Sequence, residues 1–92
     1  MIKSINHKGL KLFFERGSTK GIRADHVVRV RDRLTVLDAA SCLDDIAAGG
    51  WNLHPLTGKR KGQYAISVSG NWRLFFEFRD GDVYLLDYDD YH

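Results

Sequence analysis

Asn71-Trp72-Arg73-Leu74-Phe75-Phe76-Glu77-Phe78-Arg79-Asp80-Gly81-Asp82-Val83-Tyr84-Leu85-Leu86-Asp87-Tyr88 decides the fold. Residues 71–79 alternate: Trp72, Leu74, Phe76 and Phe78 fall on one side, Arg73, Phe75, Glu77 and Arg79 on the other. Side chains in a strand alternate between faces, so the first set marks a core face and the second an open one. Asp80-Gly81 is a two-residue hairpin signal, which makes 82–88 an antiparallel neighbour of 71–79. Working back, Tyr64–Val68 and Trp51–Pro55 read as two more strands, with a tight turn at Ser69-Gly70-Asn71. In the earlier strand Leu53 joins the core, which sends His54 to the open face with Arg73. Alternation says nothing of the distance between them.

Before Gly49-Gly50 the period is helical. Leu10, Phe13 and Phe14 share a side of Lys8–Arg16, and Gly17 stands where a helix-ending glycine belongs. Val27, Val30, Leu34 and Leu37 recur at helical spacing in Arg23–Ala40. Met1–Ile5 is a short strand. The expected order is β-α-α-β-β-β-β: an α+β domain spanning 1–92, with two N-terminal helices on one face of a mainly antiparallel sheet.

Composition narrows the function. Ninety-two residues with 43% hydrophobic content suit one core. The single cysteine, Cys42, excludes an internal disulfide and is expected to be a buried or half-buried apolar residue in a reducing compartment. Neither a signal segment nor a membrane-length apolar run is visible, so a cytoplasmic protein without membrane attachment is expected. Net charge is +2, but it is distributed in blocks. Residues 1–34 hold nine Lys/Arg against three acids, and 51–79 five against one, while 80–92 hold five Asp and no Lys or Arg. Two basic blocks fit a polyanion partner, or simply two solvated faces. The acidic end is too interleaved with Tyr and Leu to be a disordered tail.

Chemistry rests on histidine. Cutting RNA without a metal takes a base for the 2′-hydroxyl, an acid for the leaving 5′-oxygen, and a cation or donors for the phosphate. Histidine serves both proton roles. His7 and His26 lie in or beside helices. His54 stands at a strand end before the basic loop Thr57–Gly62, and His92 follows Asp89-Asp90-Tyr91. No His/Cys/carboxylate set has zinc spacing, so no metal is expected; phosphate-loop and serine-elbow motifs are missing too.

Taken together, Lys8-Gly9-Leu10-Lys11, Leu53-His54-Pro55-Leu56 with Gly58, Gly62 with Ile66 and Val68, Gly70-Asn71-Trp72-Arg73, and Asp90-Tyr91-His92 resemble the HigB-type toxins of the RelE/ParE toxin–antitoxin superfamily. The resemblance covers nearly the whole chain. It implies a cofactor-free endoribonuclease that cuts messenger RNA in the ribosomal A site. It also implies a helix-turn-helix antitoxin that inhibits it, operator DNA being reached only through the toxin–antitoxin complex. By position it implies a catalytic group of His54, Arg73, Asp90, Tyr91 and His92. Lys8, Lys11, Lys20, Arg23, Arg29, Arg33, Lys59, Arg60 and Lys61 are expected to face ribosome and message. Relatives often carry a lysine after His-Pro-Leu, where this chain has Thr57; Lys59, Arg60 or Lys61 is the expected substitute. Two rival classes share such features: a ParE-like inhibitor of DNA gyrase without a nuclease site, and an RNA-binding module without chemistry.

Overall fold

A computed structural model describes residues 1–91. Helix α1 spans Lys8–Arg16. His7 caps its start, Nδ1 accepting from the Leu10 N–H at 3.0 Å. Gly17 ends it in the left-handed conformation, φ 74°, with its N–H returned to Phe13 O at 2.9 Å. The second helical stretch divides into a 3₁₀ turn, Ala24–His26, and α2, Val27–Ala39. A third helix, α3 (Leu43–Ala47), was not expected from the sequence. Asp45 organises its start: one carboxylate oxygen accepts from the Ser41 N–H at 2.9 Å and the Ser41 hydroxyl at 3.1 Å. Cys42, expected to be covered, is exposed at the head of this helix.

Strands β1 (His54–Pro55), β2 (Tyr64–Ser69), β3 (Trp72–Arg79) and β4 (Asp82–Asp90) form an antiparallel meander in that order. Asp80 and Gly81 both adopt positive φ, 52° and 82°, the combination a type I′ hairpin requires. Strand β1 is shorter than the expected Trp51–Pro55, because Asn52 turns the chain at φ 55°. The amino-terminal segment does not form a full strand. It touches β4 through parallel bridges, Ile2 to Val83 and Ile5 to Leu86. At Leu85, φ 54°, β4 bulges, and its N–H is taken by Ser4 Oγ at 2.8 Å.

The main core joins Leu10, Phe13, Val30, Leu34 and Leu37 of the helices to Ile66, Leu74, Phe76, Val83 and Leu86 of the sheet. The opposite face carries a small second cluster, Leu56, Ala65 and Phe75. The faces therefore divide as alternation in 71–79 requires, with helices on one side and His54, Phe75 and Arg73 on the other. No helix among the described residues is long and apolar enough to cross a membrane.

Candidate active site

Sheet register builds the site. His54 pairs with Ala65, Ala65 with Phe75, and Phe75 with Asp87, so these four form one row across the open face. The next row is Ser67, Arg73 and Asp89. With about 4.8 Å between strands and about 3.4 Å per residue, His54 and Arg73 stand about 10 Å apart across the sheet and about 7 Å along it.

Each side chain is held by a local device. His54 is half-buried, and its Nδ1 lies 2.8 Å from Asn52 O. A carbonyl oxygen can only accept, so Nδ1 carries the proton and the neutral ring keeps its lone pair on Nε2. Nε2 has no partner among the described residues. Arg73 turns back over the β2–β3 turn, where Nη1 donates to Gly70 O and, at 3.1 Å, to Trp72 O. Its Nε is buried without a hydrogen-bond partner among the described residues.

The last strand reaches further than its sequence suggests. Strand β4 runs to Asp90 rather than stopping near Tyr88. Asp90 pairs with Trp72 and Asp89 with Arg73. Asp89, outside the catalytic group expected from the sequence, therefore sits opposite Arg73, while Asp90 occupies the Trp72 row. The Tyr91 N–H donates to Asn71 O at 2.7 Å, and its ring lies 5.7 Å from that of Phe75. His92 lies outside the described residues.

Phe75 is the least expected member. Alternation assigns it to the open face, yet it is 1% exposed. Arg60, from the loop after β1, covers it with the guanidinium carbon 4.0 Å from the ring centroid. The signal available in sequence was a phenylalanine at an outward position followed across the hairpin by Asp87.

With that geometry in view, the relatives decide the family. A profile of the family described as RelE-like toxin of type II toxin-antitoxin system HigB matches residues 3–92. The endoribonuclease HigB of Proteus vulgaris is similar to it at 49% identity over 92 residues, all of both chains. The chain belongs to the HigB-like toxins. The resemblance carried by the motifs and the α+β fold are both upheld, and membership in a type II toxin–antitoxin family gives this HigB-like toxin a cognate antitoxin.

The helix cations expected to meet RNA do not share the His54 face. Lys8, Lys11 and Arg29 are exposed on α1 and α2, which pack behind the sheet, and Lys20 is exposed in the loop between them. Arg23 pairs with Asp25 at 3.3 Å. Arg33 is built into the back of the sheet: Nε donates to Ser67 O at 2.7 Å, and its guanidinium lies 4.7 Å from the Trp51 ring centroid. Burial holds its pKa below the ordinary arginine value, with Arg29 adding to the effect.

The other two described histidines are structural. His26 is 2% exposed, and its Nδ1 lies 2.6 Å from the Tyr88 hydroxyl. That hydroxyl also accepts from the Arg23 N–H at 3.4 Å, so one phenol oxygen ties both groups to the end of β4. Burial pushes the His26 pKa down and the Tyr88 pKa up. Trp72 lies 4.8 Å from Tyr88 and 5.6 Å from His26, ring to ring. This buried aromatic knot fastens the start of β3 and the end of β4, the two strand ends that carry Arg73 and Tyr91. No group of three His, Cys, Asp or Glu among the described residues could hold a metal ion.

Proposed function

We propose that this HigB-like toxin is an endoribonuclease that cuts messenger RNA in the ribosomal A site by attack of the 2′-hydroxyl, without a metal or other cofactor. His54 Nε2 takes the 2′-hydroxyl proton. The 2′-oxygen bonds to phosphorus, and the bond to the 5′-oxygen breaks. That oxygen leaves with a proton from His92, yielding a 2′,3′-cyclic phosphate and a 5′-hydroxyl. Arg73 holds the scissile phosphate, for which a guanidinium is matched in charge and shape. Asp90 orients or tunes a histidine, and Tyr91 stacks on a base or donates a hydrogen bond.

The observation that carries this reading is the Asn52 carbonyl on His54 Nδ1, which leaves the basic nitrogen of a half-buried imidazole available on the sheet face shared with Arg73. The name of the Proteus vulgaris relative supports the reaction class. Lys8, Lys11, Lys20, Arg23, Arg29, Lys59 and Lys61 are exposed and available to ribosomal RNA. A helix-turn-helix antitoxin holds the toxin inactive, their complex carries it to operator DNA, and a ribosome substrate places its action in the cytoplasm.

Adding the purified chain to a translating extract and mapping message ends tests this. Cuts in phase with codons, absent from the same message without ribosomes, are expected. Uncut messages with defective DNA supercoiling would favour the gyrase inhibitor instead. RNA binding without any cut would favour the binding module.

A further inference from the structure

The loop between β1 and β2 carries three cations, Lys59, Arg60 and Lys61, and the fold treats them differently. Lys59 and Lys61 are exposed, and their side chains make no ion pair or hydrogen bond among the described residues. Arg60 is folded down onto the sheet. Its guanidinium carbon lies over Phe75, 4.0 Å from the ring centroid. Nη1 donates to Gln63 Oε1 at 3.3 Å, and Nη2 stands 3.9 Å from Asp87 Oδ2. The side chain nevertheless remains 32% exposed. A guanidinium fixed on one face by an aromatic ring and at one edge by a carboxylate keeps its remaining N–H groups for another acceptor.

Its place in the sheet says what that acceptor is. Phe75 and Asp87, the two groups that hold Arg60, are the third and fourth members of the row that starts at His54. Tyr91 reaches the same Phe75 ring from the chain end. Phe75 is thus the floor on which the loop cation and the terminal phenol meet, next to the row of Arg73. Thr57 offers no charge here, and its two neighbouring lysines point to solvent.

We propose that Arg60 is a second phosphate-binding cation of the site, gripping the RNA chain between His54 and Tyr91, and that Phe75 is the positioning residue that sets it there. This rests on the nuclease reading of the same face. Because the contact is to phosphate, it shows in affinity and salt dependence as well as in rate. Losing one phosphate contact to a single strand lowers the salt slope of log affinity by about 0.7.

The test measures cutting of ribosome-bound message and, separately, filter binding of a single-stranded RNA oligonucleotide across a salt series. Arg60→Ala should lower kcat/KM about 100-fold, in the range seen for loss of one charge-stabilising donor. It should also lower the salt slope by about 0.7. Arg60→Lys, which keeps the charge but not the planar guanidinium, should restore the slope and only part of the rate. Phe75→Leu should cost about 10-fold in kcat/KM, and Phe75→Tyr, which keeps a ring under Arg60, should recover most of it. Thermal melting of each variant separates these losses from unfolding. Lys3→Ala and Arg16→Ala, exposed cations outside the site, should stay within about twofold, as solvated charges do. Wild-type rate and salt slope in Arg60→Ala, or the same loss from Lys3→Ala or Arg16→Ala, overturns the proposal. If the wild type itself cuts nothing, the nuclease reading falls, and the binding series still decides whether Arg60 holds RNA.

Discussion

Replacing Tyr88 with phenylalanine removes one oxygen atom from the buried knot behind the site. The ring stays, so its packing against Trp72 at 4.8 Å and His7 at 5.4 Å is kept. What disappears is the hydrogen bond to His26 Nδ1 at 2.6 Å and the weaker acceptor for the Arg23 N–H at 3.4 Å. His26 is 2% exposed and Tyr88 3% exposed, so water cannot replace the lost partner without opening the fold. An unsatisfied buried nitrogen costs about 1–3 kcal/mol. In a domain of this size each kcal/mol lowers the melting midpoint by about 4–8 °C. Guanidinium denaturation and calorimetry of wild type and Tyr88→Phe give both quantities. Tyr84→Phe is the control, since that hydroxyl makes no hydrogen bond among the described residues, and it should change stability by less than about 0.5 kcal/mol. A Tyr88→Phe loss as small as the control's would refute the view that this hydrogen bond fastens the strand ends.

Stability should fall as pH drops below the ordinary histidine range. Burial lowers the His26 pKa in the fold, so the unfolded chain binds the extra proton first, at a slope of up to about 1.4 kcal/mol per pH unit. Denaturation at pH 5 and pH 7 should show the loss in wild type and a flatter profile in His26→Gln. Arg73→Ala should lower cutting about 100-fold. Its stability should fall by about 0.5–1.5 kcal/mol, because the turn carbonyls of Gly70 and Trp72 lose their donor. Deleting Tyr91 and His92 should abolish cutting in the translating extract while leaving antitoxin capture intact in a pull-down. Gly81→Ala should cost about 1–2 kcal/mol in denaturation, since φ is 82° there and a Cβ would stand 3.2 Å from Ser41 O.

Alternation, in 71–79 and at Leu53-His54, and the Asp80-Gly81 turn were enough to orient the sheet and to put His54 and Arg73 on one face. Both signals are local, and both survive in the register. What escaped the sequence is what tertiary contact decides. Helix α3 has five residues, and its start depends on Asp45 reaching back to Ser41. Strand β4 extends through Asp87, Asp89 and Asp90, residues poorly suited to strands, because pairing with β3 outweighs that preference. Phe75 read as an outward residue, and only the folded loop shows that Arg60 covers it. Asp89 has no place in the expected catalytic group for a related reason: its pairing with Arg73 is visible only once the hairpin register is known.

The chemistry of the cut ends tests the central claim most directly. Ribosome-bound message treated with wild type or His54→Ala should be analysed for the groups at each new terminus. A 2′,3′-cyclic phosphate facing a 5′-hydroxyl, lost when His54 is replaced, is the result expected of 2′-hydroxyl attack on this sheet face. A 3′-hydroxyl facing a 5′-phosphate, or undiminished cutting by His54→Ala, would contradict it.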